Sequence, residues 1–187
     1  MIWQLPTSPM LYHFSDQPDI ACFEPREIDG SPEPVVWAIS AARQCNYLLP
    51  RDCPRVTYYA GPTTTAADRQ IFLGAATAVV AIETSWQARV QTARIYRYCL
   101  PTENFECTDE TAGYFVCRQP VKAITMAALD DLPSHIAATG AELRVLPTLW
   151  PLHDAVAAST LAFSMIRMRN AQSQQYSSHA PTLAAGQ

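Results

Sequence analysis

A chain of 187 residues in which 49% of the side chains are hydrophobic and 16% are charged is long enough to bury a core and too apolar to be disordered. Its net charge of −4, with the basic residues scattered along the chain, lacks the basic face that duplex nucleic acid requires. Its apolar runs are shorter than the roughly 18 residues of a transmembrane helix, so no membrane span is expected.

The N-terminal segment and the cysteines indicate the compartment. Residues 1–6 have neither the basic nor the long apolar region of a signal peptide, which predicts a cytoplasmic protein with reduced thiols. The six cysteines form no CxxC pair and no Cys/His knuckle, so no metal is expected. Cys53 stands apart, because the charges of Arg51 and Arg55 on either side would lower its thiol pKa and favour thiol catalysis.

Taken in chain order, the periodicity and the turn residues predict an α+β fold with a mixed or antiparallel sheet and flanking helices, in one domain at 10–171. Residues 1–9 are expected to be a flexible leader and 172–187 a low-complexity tail. Strands are predicted at 10–15, 35–39, 56–60, 95–100, 113–117, 121–124 and 142–146, with 104–107 left open. Helices are predicted at 40–47, 66–76, from 84 or 85 onward, and at 126–132, 134–139 and 152–169. Residues 77–82 fit either a helix end or a buried strand.

Tyr12 and His13 lie near the end of the first predicted strand, just before a loop that contains Pro18 and Pro25. An imidazole beside a phenol at the end of a strand can hydrogen-bond a sugar hydroxyl while aromatic rings stack on a flat base. A single histidine on an amphipathic strand is also often structural. The pair is therefore a candidate nucleotide-binding element, with packing as the alternative.

Three arginines, Arg26, Arg51 and Arg55, each follow a proline at the start or end of an extended segment. Guanidinium groups in such positions can bind a pyrophosphate bidentately. The alternative is surface charge or a corner ion pair with Glu24 or Asp52. Spacing alone does not decide between the two.

Trp37 and Gln119 also allow two interpretations. Trp37 lies inside an apolar strand, where it packs in the core or stacks on a base. Gln119 lies at the end of an apolar segment, where it faces a cleft or solvent. The chain has no Walker phosphate loop, GxGxxG, GxSxG or HExxH motif, which argues against P-loop nucleotidases, Rossmann dehydrogenases and α/β-hydrolases.

Two resemblances rest on these segments. Residues 11–15, 23–26, 34–39, 50–55, 95–98 and 149–152 resemble a bacterial family of domains of unknown function, a likeness that implies no activity. The Tyr-His pair, the Pro-Arg corner, the apolar strand leading into a helix and the late Val-Cys-Arg-Gln-Pro-Val are similar to small ADP-ribosyltransferase-like domains. The second resemblance implies a split sheet that binds NAD or a related nucleotide, with Tyr12 and Arg51 among the cofactor-binding residues.

The second resemblance also implies roles for individual residues. His13 would bind the nicotinamide ribose, Trp37 or Tyr47 would stack on the nicotinamide, and Arg26 would hold the pyrophosphate. Gln119 falls near the late Glu or Gln that orients the ribose. The chain departs from the pattern because it has no Ser-Thr-Ser motif and because an amide cannot place negative charge beside an oxocarbenium ion. Ligand binding without transfer therefore stays open.

Two functions remain in view. The first is an NAD- or nucleotide-binding domain that, if active, cleaves the nicotinamide–ribose bond; it requires His13, Trp37 or Tyr47, Arg26 and Gln119 to meet in one cleft. The second is a non-enzymatic protein-interaction module, which lets these residues scatter. The sequence leaves the oligomeric state open.

Overall fold

Two β-sheets, with helices packed mainly on the second, form an α+β fold in the part of the chain that this computed structural model describes, residues 10–27 and 33–173. The strands are β1 (Leu11–Ser15), β2 (Val36–Ser40), β3 (Arg55–Tyr59), β4 (Ala78–Glu83), β5 (Ile95–Leu100), β6 (Glu106–Asp109), β7 (Tyr114–Cys117), β8 (Thr125–Leu129), β9 (Ala141–Leu146) and β10 (Ala162–Ile166). The α-helices are α1 (Ala66–Asp68), continued by a π-helical turn (Arg69–Leu73), α2 (Thr84–Thr92), α3 (Leu132–Ala138) and α4 (Trp150–Ala157), with 3-10 turns at Ala41–Tyr47 and Met168–Asn170. The α+β fold expected from the sequence is confirmed.

The first sheet has the order β6-β7-β2-β1-β5-β8, and every neighbouring pair in it is antiparallel. Strand β1 lies inside this sheet because it pairs with both β2 and β5. Its residue Leu11 lies opposite Leu100, and both pack in a core with Phe23 and Tyr98. The same register places His13 opposite Tyr98, toward the end of β1 from which the following loop leaves.

The second sheet has the order β10-β3-β4-β9, in which only β4 and β9 are parallel among the described strands. Every residue of β3 and β4 is buried, since helices cover both faces. Val80 and Ile82 face α2 and α3, whereas Val79 and Ala81 face α4. The run at 77–82 lacks alternation because a strand covered on both faces is apolar throughout.

The helix predicted at 152–169 is wrong in its second half. Helix α4 ends at Ala157, and residues Ala162–Ile166 form β10, which pairs with β3. The apolar residues of this segment fit helical spacing, but β3 offers an open edge whose backbone groups need partners. Tertiary pairing therefore overrides the local helical preference.

The helix predicted at 126–132 is also wrong, because Thr125–Leu129 forms β8 along the edge of β5. Met126 and Ala128 are good helix formers that lie exposed on this strand. The strand predicted at 121–124 reduces to a single bridge between Val121 and Phe23. The predicted leader and most of the predicted tail lie outside the described residues. Among the described residues, no helix is long and apolar enough to cross a membrane.

Glu83 is a fully buried carboxylate at the end of β4. Its oxygens accept hydrogen bonds from the backbone N–H of Leu149, at 3.3 Å, and of Gln172, at 3.2 and 3.0 Å. One side chain therefore accepts backbone hydrogen bonds from the segment that begins α4 and from the segment that follows β10. Both segments are held against the end of the second sheet by this carboxylate.

We predict that Glu83→Ala lowers the free energy of unfolding by about 2 kcal/mol or more, because it leaves two backbone N–H groups without an acceptor. Glu83→Gln retains one side-chain oxygen and should lose less. Urea denaturation at neutral pH measures both, with the exposed Glu142 mutated to alanine as the matched control. Equal stability of Glu83→Ala and the wild type would show that these hydrogen bonds do not hold the two segments.

Candidate functional site

A cleft of about 580 Å³ opens where the ends of strands from the two sheets meet. The first sheet supplies the end of β1, the start of β2 and the loop between them. The second sheet supplies the start of β3 and the end of β10. The volume lies within the range of about 300–1,000 Å³ that small-molecule pockets occupy. A second cavity of about 60 Å³ adjoins it on the side of Tyr12.

His13 lines the cleft with its ring held in a fixed orientation. Its Nδ1 lies 2.9 Å from the carbonyl oxygen of Trp37, and its ring centre lies 4.6 Å from that of Phe23. Because a carbonyl oxygen only accepts hydrogen bonds, Nδ1 carries the proton in the neutral ring and Nε2 keeps its lone pair. Nε2 has no partner among the described residues, which leaves it as an acceptor for a ligand hydroxyl.

The surroundings of His13 favour its neutral form. Burial lowers the pKa of His13 from 6.5, and the charges of Arg51 and Arg26 lower it further, against the hydrogen bond to Trp37. The neutral ring is therefore the dominant form at pH 7. Both arginines line the same cleft as His13.

Three aromatic rings form one wall of the cleft. Trp37 and Tyr114 meet edge to face with ring centres 5.2 Å apart. Tyr47 lies 6.4 Å from Tyr114 at an angle of 69° and stacks on Phe14 at 6.4 Å. Burial raises the pKa of Tyr47 well above 10, so its hydroxyl stays protonated at neutral pH and can donate a hydrogen bond. Rings so arranged offer a surface on which a flat heterocycle can lie.

Four arginines line the cleft: Arg26, Arg51, Arg55 and Arg167. Arg26 and Arg51 are exposed, and within the described residues neither forms an ion pair. Two exposed carboxylates, Asp16 and Glu24, also line the cleft. The cleft is therefore locally basic in a chain whose net charge is −4.

Arg55 is the most deeply buried of these cations, with 2% of its surface exposed. Its Nε donates to the carbonyl oxygen of Asn46 at 3.1 Å, and its Nη1 to that of Cys53 at 2.8 Å. Longer contacts of 3.4 Å join Nη1 to the carbonyl oxygens of Pro50 and Arg51. The guanidinium thus fastens the corner between the 3-10 turn and β3, from which Tyr47 and Arg51 reach the cleft.

The structure brings most of the sequence-predicted residues together. His13, Arg26, Trp37, Tyr47 and Arg51 all line the cleft. The other two lie elsewhere: buried Tyr12 borders the small adjoining cavity, and exposed Gln119 follows β7 without lining either one.

Tyr114 and Arg167 also line the cleft, although the sequence does not predict them there. Tyr114 begins β7, and its hydroxyl lies 2.8 Å from that of Ser164 on β10. Arg167 follows Ile166, the residue that lies opposite Arg55 in the sheet. The apolar residues at 162–166 do not alternate with polar ones, so the sequence predicts a helix there and places Arg167 near its end.

Cys53 does not have the properties of a catalytic thiol. Its side chain is fully buried, and burial raises the pKa of the thiol to about 12 despite the nearby charges of Arg55 and Arg89. The expectation of a lowered pKa is wrong because desolvation outweighs those charges. Within residues 10–27 and 33–173, no group of three or more His, Cys, Asp or Glu side chains could hold a metal ion.

The chain belongs to DUF6886, a family of unknown function whose model matches residues 12–171. The expectation of a domain of unknown function is thereby confirmed. No curated protein and no solved structure matches the chain. These comparisons give no support to the likeness with ADP-ribosyltransferase-like domains.

We predict that the native protein loses stability as the pH falls below about 6.5, in part through His13. The pKa of His13 is lowered in the folded state, so the unfolded state binds the proton first and protonation favours unfolding. Urea denaturation between about pH 8 and pH 5 should show a smaller loss for His13→Asn than for the wild type. His135→Asn, on α3, is the control, and an unchanged pH dependence in His13→Asn would contradict the prediction.

We also predict that Cys53 resists alkylation in the native protein near pH 7.5, since its thiol is buried and protonated. Exposed Cys107, on β6, should react first under the same conditions. Peptide mass spectrometry after timed iodoacetamide treatment measures both rates, and urea should remove the difference. Labelling of Cys53 as fast as that of Cys107 would restore the thiol hypothesis.

Proposed function

We propose that this domain binds NAD or a related nucleotide in the cleft between the two sheets. The observation that carries the proposal is the meeting of an oriented histidine, an aromatic wall and four arginines in one cavity of about 580 Å³. Each group matches a different part of a nucleotide: sugar, base and phosphate. A surface for a protein partner requires no such division of chemistry within a single concave site.

The sugar and the base find partners on the first sheet. The Nε2 lone pair of His13 can accept a hydrogen bond from a ribose hydroxyl, and the bond from Nδ1 to Trp37 keeps the ring in place. Trp37 or Tyr47 would stack on the base. Edge contacts with Tyr114 brace both rings, which reduces the entropy lost on binding.

The phosphates find their charge complement in the arginines of the cleft. A nucleotide is an anion, and a concave, locally basic site attracts it even when the whole chain is acidic. Guanidinium groups suit this ligand because they donate paired hydrogen bonds in a plane.

The proposal is confined to binding. The resemblance implies that Gln119 orients the ribose during transfer, but its side chain is exposed and lies outside the cleft. Asp16 and Glu24 are the carboxylates that line the cleft in the described residues, and both are exposed. Cleavage of the nicotinamide–ribose bond is therefore measured separately, as nicotinamide released during incubation with NAD.

We predict that NAD raises the melting temperature of the wild type by about 5–10 °C at a hundred times its dissociation constant. Thermal-shift titrations with NAD, ADP-ribose and nicotinamide measure this effect. His13→Ala should abolish the NAD shift while its own melting temperature stays within a few degrees of the wild type. Trp37→Leu should weaken NAD at least tenfold, whereas Trp86→Leu, on α2 outside the cleft, should leave it unchanged.

Two results would overturn the proposal. One is the absence of any shift with millimolar NAD or ADP-ribose, which would favour the interaction-module hypothesis. The other is a shift that is the same in His13→Ala, Trp37→Leu and the wild type, because binding would then occur away from the cleft.

A further inference from the structure

Arg55 is a buried cation whose guanidinium is only partly satisfied. Its Nε and Nη1 donate to backbone carbonyls, but its Nη2 donates to none of the described residues. No carboxylate among them forms an ion pair with it. Arginine is seldom buried to this extent without an anionic partner, because desolvation of a lone charge is costly.

The unpartnered end of Arg55 is open to the cleft. Arg55 lines the cleft, and the described side-chain atoms that are fully buried without a partner are Asn46 Nδ2 and Thr57 Oγ1. Nη2 is not among them, so it keeps some accessible surface, and since Arg55 lines the cleft that surface is available to a ligand there. The carbonyl oxygens that hold Nε and Nη1 fix the plane of the guanidinium in advance.

Arg167 provides a second cation at the same end of the cleft. It follows Ile166, which lies opposite Arg55, and its positive charge repels that of Arg55. Its closest carboxylate oxygen, Asp52 Oδ1, lies 3.9 Å from Nε, which is too far for a hydrogen bond. Among the described residues, neither guanidinium group is hydrogen-bonded to a carboxylate, so an anion between them would relieve their repulsion.

The chemistry of this end favours a phosphate over a carboxylate. The guanidinium of Arg55 lies 5.5 Å from the ring centre of Tyr47, which also lines the cleft and carries a hydroxyl that can donate a hydrogen bond. Donors carried by three separate segments suit a tetrahedral group with several charged oxygens. A planar carboxylate is satisfied by one guanidinium fork.

We propose that Arg55 and Arg167 form the phosphate subsite of the cleft, so that the ligand places its phosphate against the end of the second sheet and not against Arg26. This assignment rests on the proposed function for the identity of the ligand as a nucleotide. It makes the phosphate the group that neutralises the buried charge of Arg55. A nucleoside without phosphate is then a poor ligand, because it leaves that charge unpaired.

Isothermal titration calorimetry with inorganic pyrophosphate, ADP-ribose and adenosine tests the assignment. In the wild type, ADP-ribose should bind at least tenfold more tightly than adenosine. Arg167→Gln should weaken pyrophosphate and ADP-ribose about tenfold or more and leave adenosine within about twofold. Arg169→Gln removes the same charge two residues away, outside the cleft, and should change none of the three.

Arg55 itself is tested with a conservative variant, because its removal would also release the backbone corner that it holds. Arg55→Lys keeps the charge but loses the fork, so it should weaken pyrophosphate as Arg167→Gln does. Circular dichroism and a thermal melt of each variant confirm that it is folded. Arg167→Gln keeps the hydrogen bonds of Arg55 to the corner, and its result is decisive if Arg55→Lys unfolds.

The outcomes separate the two proposals. If NAD binds and His13→Ala abolishes its binding, but Arg167→Gln does not weaken it, the subsite is overturned and the proposed function stands. Loss of pyrophosphate binding in Arg26→Gln, with Arg167→Gln unaffected, would overturn the subsite as well. If pyrophosphate binds through Arg167 while NAD and ADP-ribose do not bind, the subsite stands and the proposed function fails. If no phosphate compound binds at millimolar concentration, both are overturned.

Discussion

The guanidinium of Arg55 is the constraint on which the shape of the cleft depends. The corner between the 3-10 turn and β3 contains Pro50 and Pro54 and forms no regular structure, so its carbonyl oxygens require donors from elsewhere. Arg55 donates to the carbonyl oxygen of Cys53, in this corner, at 2.8 Å, and to that of Asn46, near the end of the 3-10 turn, at 3.1 Å. An irregular segment thereby acquires a fixed position without a strand or helix of its own. These bonds also offset part of the cost of burying a cation without a carboxylate.

A second link joins the two sheets directly. The hydroxyl of Tyr114, from the first sheet, bonds to that of Ser164, from the second. Tyr114 also packs against Trp37 and Tyr47. One residue of the first sheet therefore contacts both the aromatic wall and β10, the strand that precedes Arg167. Neither sheet alone contains the groups that a nucleotide would need. The cleft therefore forms only where the two sheets meet.

The sequence predicts those features whose signal is local. Strands β1, β2 and β5 are apolar where they are buried, so the sequence predicts them. His13 and Trp37 lie on the neighbouring strands β1 and β2, and Arg26 forms a bridge to Val35 just before β2. Pairing at long range has no such signal: 162–166 fits helical spacing equally well, and only the open edge of β3 makes it a strand. For the same reason the sequence predicts that Arg167 lies on a helix. Gln119 is predicted from its position at the end of an apolar segment and from a resemblance, but among the described residues it lies exposed and outside the cleft.

The pairing of β10 with β3 joins residues about a hundred positions apart, and this separation governs how the protein can be made. During synthesis β3 leaves the ribosome early, yet its outer edge stays without a partner until the segment of β10 has also emerged. Until then the nascent chain carries an unprotected strand edge, the kind of surface to which other chains add. Contacts of such long range also slow folding, since a large loop must close before they contribute. The strand pairing that builds one side of the cleft therefore leaves the incomplete chain open to aggregation until residues 162–166 have been synthesised.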